Sequence, residues 1–299
     1  MKDRSTSPDT EDRVVVGVDG SESSLRALDV AAEEADRRGV PLEMVYSAGW
    51  PKRSRVPVTD SDVERLRVAA AAVLDDAGQR ARDTAPDLRV VPSVQTEALA
   101  ADALVNASRS AALTVVGTRG HGGFSGLLVG SVSLRVAVYA ESPLLVVGES
   151  RESGGTERGT VLVGVTGEAD APAVSFGFEE AARRGASLRV LHPWSLPRMP
   201  GRLQVPPSET EQSRTSATEL VRGMVAPHRE DHPDVRVSAE EQGGSPSATL
   251  IEASRAADLL VFAVHRRQRR RLGLQLGPVA HAVLHHARCP VLLVPVPTD

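Results

Sequence analysis

The sequence predicts an α/β protein: two tandem Rossmann-like domains, each a parallel sheet with helices on both faces. Three observations predict it. Short β-branched apolar runs alternate with stretches whose apolar residues recur at helical spacing, which implies parallel strands joined by right-handed crossovers. The alternation occurs twice along 299 residues, a length that suits two domains of about 150 each. Apolar residues make up 41% and aromatics only 3%, so the core is aliphatic, as a sheet buried on both faces requires.

In chain order, residues 1–11 belong to the polar run MKDRSTSPDTED and read as a disordered tail, not a signal peptide. The first domain, 12–148, opens with the strand Val14–Val18. Leu25, Leu28, Ala32 and Ala35 then share one helix face, and Gly39 is placed to end that helix. The strand Leu42–Ser47, the helix Val63–Ala81 and the strand Leu88–Val94 follow. A helix over Glu97–Arg109 opens after Thr96 as N-cap. It leads to the strand Leu113–Gly117 and, past a glycine-rich loop, to the strand Leu144–Val147. The polar, Gly-rich stretch Glu149–Gly159 holds the linker, set at 149–158.

The second domain, 159–299, repeats the first. RVVVGVDG (Arg13–Gly20) returns as TVLVGVTG (Thr160–Gly167), and EEADRRGVPL (Glu33–Leu42) as EEAARRGASL (Glu179–Leu188). ALVNASRSAALTVV (Ala103–Val116) returns as TLIEASRAADLLVF (Thr249–Phe262), and ESPLLVV (Glu141–Val147) as RCPVLLV (Arg288–Val294). All four blocks lie 146 or 147 residues apart and in one order, which means duplication.

Composition excludes several functions. A net charge of −4 argues against electrostatic capture of nucleic acid or of an anionic membrane, and the scarcity of aromatics removes stacking platforms for bases. The expectation is therefore no nucleic-acid and no membrane partner. Lys2 and Lys52 are the only lysines, so a lysine on a phosphate would have to be one of these. A single cysteine, Cys289, fits a reducing compartment, and no run of 18 apolar residues exists, so a cytoplasmic location is expected.

In doubly wound sheets ligands bind outside the carboxyl ends of the strands, near the switch in strand order. The loops after the first and fourth strands are where chemistry is expected. The fourth strand runs into TVVGTRGHGGFSGLLVGSVS (Thr114–Ser133), with Gly117-x-x-Gly120, then nine residues, then Gly130-Ser131. Glycines at 117 and 120 admit positive φ and close approach of a phosphate. Ser131 is the N-cap candidate of the next helix, whose free amides face an anion. A bare glycine-rich surface loop would show the same composition. Neither GxxxxGK[ST] nor GxGxxG fits the spacing.

VVGVDGSESS near the domain start, this loop and PLLVV together resemble the universal stress protein family, whose ATP-binding members carry G-x2-G-x9-G-[ST] at this place. The resemblance covers nearly the whole chain, once per copy. It implies five-stranded parallel sheets, ATP bound with Mg²⁺ or Mn²⁺ on its phosphates, and a stress-response role without catalysis. It also implies an internal pseudo-dimer of the two copies, homodimers, and a regulatory protein partner. By position it assigns Asp19 to the adenosine, Ser47 to adenine through its backbone, and Gly117, Arg119, Gly120, Gly130, Ser131, Val132 and Ser133 to the phosphates and ribose. His121, beside Gly120, is a further loop candidate.

The second copy departs from the pattern. Thr166 stands for Asp19, Ala263 for Gly117, Arg266 for Gly120, Gly277-Pro278 for Gly130-Ser131, and Ala280 for Ser133. Added Cβ atoms and a proline without N–H remove the grip, so this copy is expected not to bind ATP in the family manner. Arg266, Arg267, Arg269, Arg270 and Arg271 concentrate charge there, either as a solvated loop or as a landing place for an acidic partner. His281 and His285, four apart on a helix near His286 and Cys289, have zinc-compatible spacing. Their counterparts Leu134 and Val138 suggest a packing face instead. No GxSxG elbow and no base beside a second pocket is visible, so the chain reads as a nucleotide-binding regulator. A ligand-free scaffold and a weak ATPase are the alternatives.

Overall fold

The computed structural model describes residues 12–48, 59–96, 98–120, 129–148, 159–195, 206–265, 267–269 and 273–296. The chain divides into two compact units, Met1–Glu149 and Ser150–Asp299. The tail, the linker, His121, Arg266, Arg270 and Arg271 lie outside the described residues, as do the side chains of Arg267 and Arg269.

The first unit runs β1 (Val14–Gly17), α1 (Glu22–Arg38), β2 (Leu42–Ser47), α2 (Asp60–Thr84), β3 (Val90–Gln95), α3 (Ala100–Ala107), β4 (Leu113–Gly117), α4 (Ser131–Tyr139) and β5 (Leu144–Val147). Its strands pair in the order β3-β2-β1-β4-β5, every pair parallel. The chain winds outward from β1 to β3, then returns to the other side of β1 as β4. The switch in strand order therefore falls between β1 and β4.

The second unit runs β6 (Thr160–Gly164), α5 (Ala171–Arg184), β7 (Ser187–Trp194), α6 (Pro207–Val225), β8 (Val237–Gly243), α7 (Pro246–Ala253) and β9 (Leu259–His265). A small antiparallel hairpin, β10 (Arg267–Arg269) with β11 (Gly273–Gln275), precedes α8 (Pro278–His286) and β12 (Val291–Val296). Its parallel order is β12-β9-β6-β7-β8, the same winding.

The strands are where the β-branched runs put them. Val14, Val15 and Val16 are fully buried, as are Leu113 and Val115, because helices cover both faces. On α1, Ala27, Leu28, Ala31, Ala32 and Ala35 form the buried stripe, and small residues let the helix sit close to the sheet. The helix starts at Ser21, whose hydroxyl accepts the Ser24 amide, and ends at Gly39 with φ 63°. Gly185 closes α5 in the same way with φ 59°. The repeated Glu-x-x-Arg-Arg-Gly block has a structural reason. Glu34 is 1% exposed and is held by Arg37 and Arg38; Glu180 is fully buried and is held by Arg183 and Arg184. A buried carboxylate persists only when paired and hydrogen-bonded.

The ends of β1, α2, β3 and α3 lie one to three residues from those expected, and three elements start elsewhere than expected. α2 begins at Asp60, three residues early, because Thr59 and Asp62 form a capping box. β3 begins at Val90, since the Leu88 amide is still tied to Ala85 in the turn after α2. α3 does not open after Thr96. It starts at Ala100 from an extended Leu99 without a side-chain cap, and the preceding Ala98 carbonyl is taken by the Ser47 hydroxyl at 2.7 Å. Among the described residues no helix is long and apolar enough to cross a membrane.

Candidate ligand-binding site

At the switch point, the carboxyl ends of β1 and β4 open into a cavity of about 460 Å³. Val18, Val45, Ala100, Leu104 and Val116 supply its apolar lining. Asp19, Ser24, Ser47, Arg119, Ser131 and Ser133 border it with polar groups. All nine residues singled out from the sequence, Asp19, Ser47, Gly117, Arg119, Gly120, Gly130, Ser131, Val132 and Ser133, border this one cavity.

The loop after β1 is folded by its own side chains. Gly20 takes φ 83°, a left-handed turn that a side chain would strain. The Asp19 carboxylate accepts the Ser21 amide at 2.9 Å, and the Asp19 amide donates to the Ser24 hydroxyl at 3.3 Å. Asp19 is thereby held exposed at the rim.

The glycines of the second loop serve a different purpose from the one expected. Neither Gly117 nor Gly120 has positive φ. Gly117 is needed for space, since a Cβ there would collide with the hydroxyl and the backbone carbonyl of Ser23; one on Gly120 would meet only the Asp19 carboxylate, the end of an exposed side chain. The β4 end is thus pressed onto the first turn of α1, and the Gly120 backbone lies beside Asp19. Ser131 is likewise not the N-cap of α4. Gly130 holds that place, with φ −76° and ψ 162°, since its carbonyl accepts the Leu134 amide at 3.0 Å and begins the helical ladder. Among the described residues no side chain caps this end, where the first-turn amides of α4 carry the positive end of the helix dipole.

Both feet of the loop are fastened. The Gly130 amide donates to Thr118 O at 2.6 Å, the buried Ser133 hydroxyl donates to Gly117 O at 2.7 Å, and the Arg119 amide donates to the Ser23 hydroxyl at 3.2 Å. Ser23, 7% exposed, was not singled out from the sequence, although SESS after a strand is a visible helix-start signal. What the arrangement offers chemically is an apolar slot beside backbone donors, hydroxyls and one guanidinium. That is a receptor for a molecule with an apolar ring and an anionic end.

The same corner of the second domain is built otherwise. By the repeat, Leu191, Pro193, Pro246 and Phe262 replace Val45, Ser47, Ala100 and Val116. Phe262 and Leu250 are buried, and both crowd the space beside Gly164. The bulk is therefore in the wall as well as in the loop, and the paired sequences carry that signal. Asp170 and His265, also not singled out, meet here at 2.5 Å. On α8 the rings of His281 and His285 stack with centroids 4.5 Å apart, and burial, with the charges of His281 and His286, holds the His285 imidazole below its ordinary pKa.

Comparison with known proteins agrees with this architecture. The family model described as the universal stress protein family matches residues 11–148 and again 157–295. A universal stress protein of Mycolicibacterium smegmatis is 31% identical over 295 residues, covering 95% of this chain and 97% of its own length. Universal stress protein Rv1996 of Mycobacterium tuberculosis is 30% identical over 305 residues, covering 96% of each. The crystal structure of a universal stress protein from Archaeoglobus fulgidus superposes with a TM-score of 0.67 at 16% identity, over 95% of this chain and 98% of that one, a likeness of fold. With the family model matched once in each half and relatives aligned over nearly their whole length, the chain belongs to the universal stress protein family.

Proposed function

We propose that the first domain binds ATP and that the protein acts as a nucleotide-responsive regulator in the stress response, in the cytoplasm. The observation that carries this reading is the convergence of the apolar wall, Asp19, Arg119 and the first turn of α4 on one cavity at the switch point. The wall suits adenine, Asp19 the ribose side, and the Gly130–Ser133 turn the phosphates. Mg²⁺ or Mn²⁺ would enter on the phosphates; among the described residues bordering the cavity, Asp19 is the carboxylate in reach of such an ion. In this reading bound nucleotide alters a surface that a partner protein or a second copy reads.

The test is calorimetry with ATP on the full chain, with mass spectrometry of nucleotide released on denaturation. Asp19→Ala is expected to weaken binding by about tenfold or more, and Gly120→Glu to abolish it, since charge and bulk then face Asp19. Unchanged affinity in both variants defeats the assignment. Phosphate release above the Gly120→Glu control would make the protein a slow ATPase.

A further inference from the structure

The two domains place different residues at one corner of the same fold. In the first, Asp19 follows β1, Ser24 lies in the first turn of α1, and Arg119 follows β4; the matched blocks and the register of the helix put Thr166, Asp170 and His265 at these places in the second. The carboxylate has changed position, and an imidazole stands where the first domain has a guanidinium. Asp170 is 1% exposed with both oxygens engaged. Its Oδ2 accepts the Thr166 amide at 2.5 Å and the Thr166 hydroxyl at 2.8 Å, while Oδ1 lies 2.5 Å from His265 Nε2. At the corresponding place in the first domain, the uncharged Ser24 hydroxyl accepts the Asp19 amide at 3.3 Å, and Ser24 and Arg119 both border the cavity.

We propose that Asp170 is a built-in anion that closes the second domain to phosphate: it supplies the negative charge a ligand would bring and engages His265, the counterpart of Arg119. The residue at the 24/170 position then decides whether a domain of this chain accepts an anion. A hydroxyl leaves the corner open, whereas a buried carboxylate fills it. A phosphate arriving beside Asp170 meets like charge at close range, where repulsion opposes binding. The second copy is thus closed by a compensated internal contact as well as by the loss of glycines.

Two measurements test this, and only the second rests on the nucleotide reading of the first domain. In the full chain carrying Gly120→Glu, adding Asp170→Ser is expected to broaden the ³¹P line of inorganic phosphate, an effect the Gly120→Glu parent lacks. Asp170→Asn, which keeps the shape and removes the charge, serves if the serine variant does not fold. No broadening in a folded variant, or broadening already present in the parent and unchanged, overturns the proposal. In the first domain, Ser24→Asp is expected to weaken ATP binding at least about tenfold more than Ser24→Asn. Equal effects of the two in folded protein also overturn it. If the unmodified chain binds no ATP, the functional reading fails, and the phosphate measurement still decides the role of Asp170.

Discussion

At the scale of single residues, the site is a set of steric vacancies and anchored polar groups. Gly117 shows this most directly, because its missing Cβ makes room for the Ser23 hydroxyl and carbonyl. Gly117→Ala is expected to push β4 off the α1 turn and to cost about 1–3 kcal/mol in chemical denaturation, the range for overpacking a filled interior. A neutral result there would mean that the contact relaxes freely. His285 gives a pH-dependent expectation. Its folded-state pKa lies below the ordinary 6.5, chiefly through burial, so the unfolded chain binds the proton more readily. Stability is therefore lost as pH falls below 6.5. His285→Val, which installs the residue of the first copy, should show a smaller drop in melting temperature on acidification. An equal drop would assign the acid sensitivity to other groups.

At the scale of elements, the helix ends carry more information than the helix interiors. Gly39 and Gly185 close α1 and α5 in the left-handed region, with nothing near the position of a Cβ, so alanine there adds backbone strain without collision. Each alanine substitution is expected to cost about 1–2 kcal/mol, and the two should match, because the caps are copies of one another. Unequal costs in thermal or denaturant melts would show that the copies differ beneath the caps. The strands Leu42–Ser47, Leu113–Gly117 and Leu144–Val147 have the bounds expected from their apolar runs, since burial on both faces leaves no choice of register. The starts of α2 and α3 do not. One is set by a capping box at Thr59 and the other by the Ser47–Ala98 hydrogen bond between segments far apart in sequence.

At the scale of the whole chain, duplication has produced two domains of one winding with unlike corners. The first keeps small residues around its cavity. The second has Phe262, Pro193 and Pro246 at the wall and an Asp170–His265 contact at the rim. Binding of one ATP per chain follows, as read by calorimetric stoichiometry. A value near two would refute the inactivity of the second copy.

By itself the sequence determined the duplication, the alternation of strand and helix, and the glycine spacing that marks the loop after β4. Each of these is a local pattern, or a comparison of the chain with itself. Only the tertiary structure decided why the glycines are there, because Ser23 and Gly117 lie 94 positions apart and meet only when β4 packs on the first turn of α1. The same holds for Asp170 and His265, separated by 95 residues. Hydrophobic periodicity records which side of an element is buried. It carries no record of which polar group on another element will be waiting there, and that pairing fixes the chemistry of each corner.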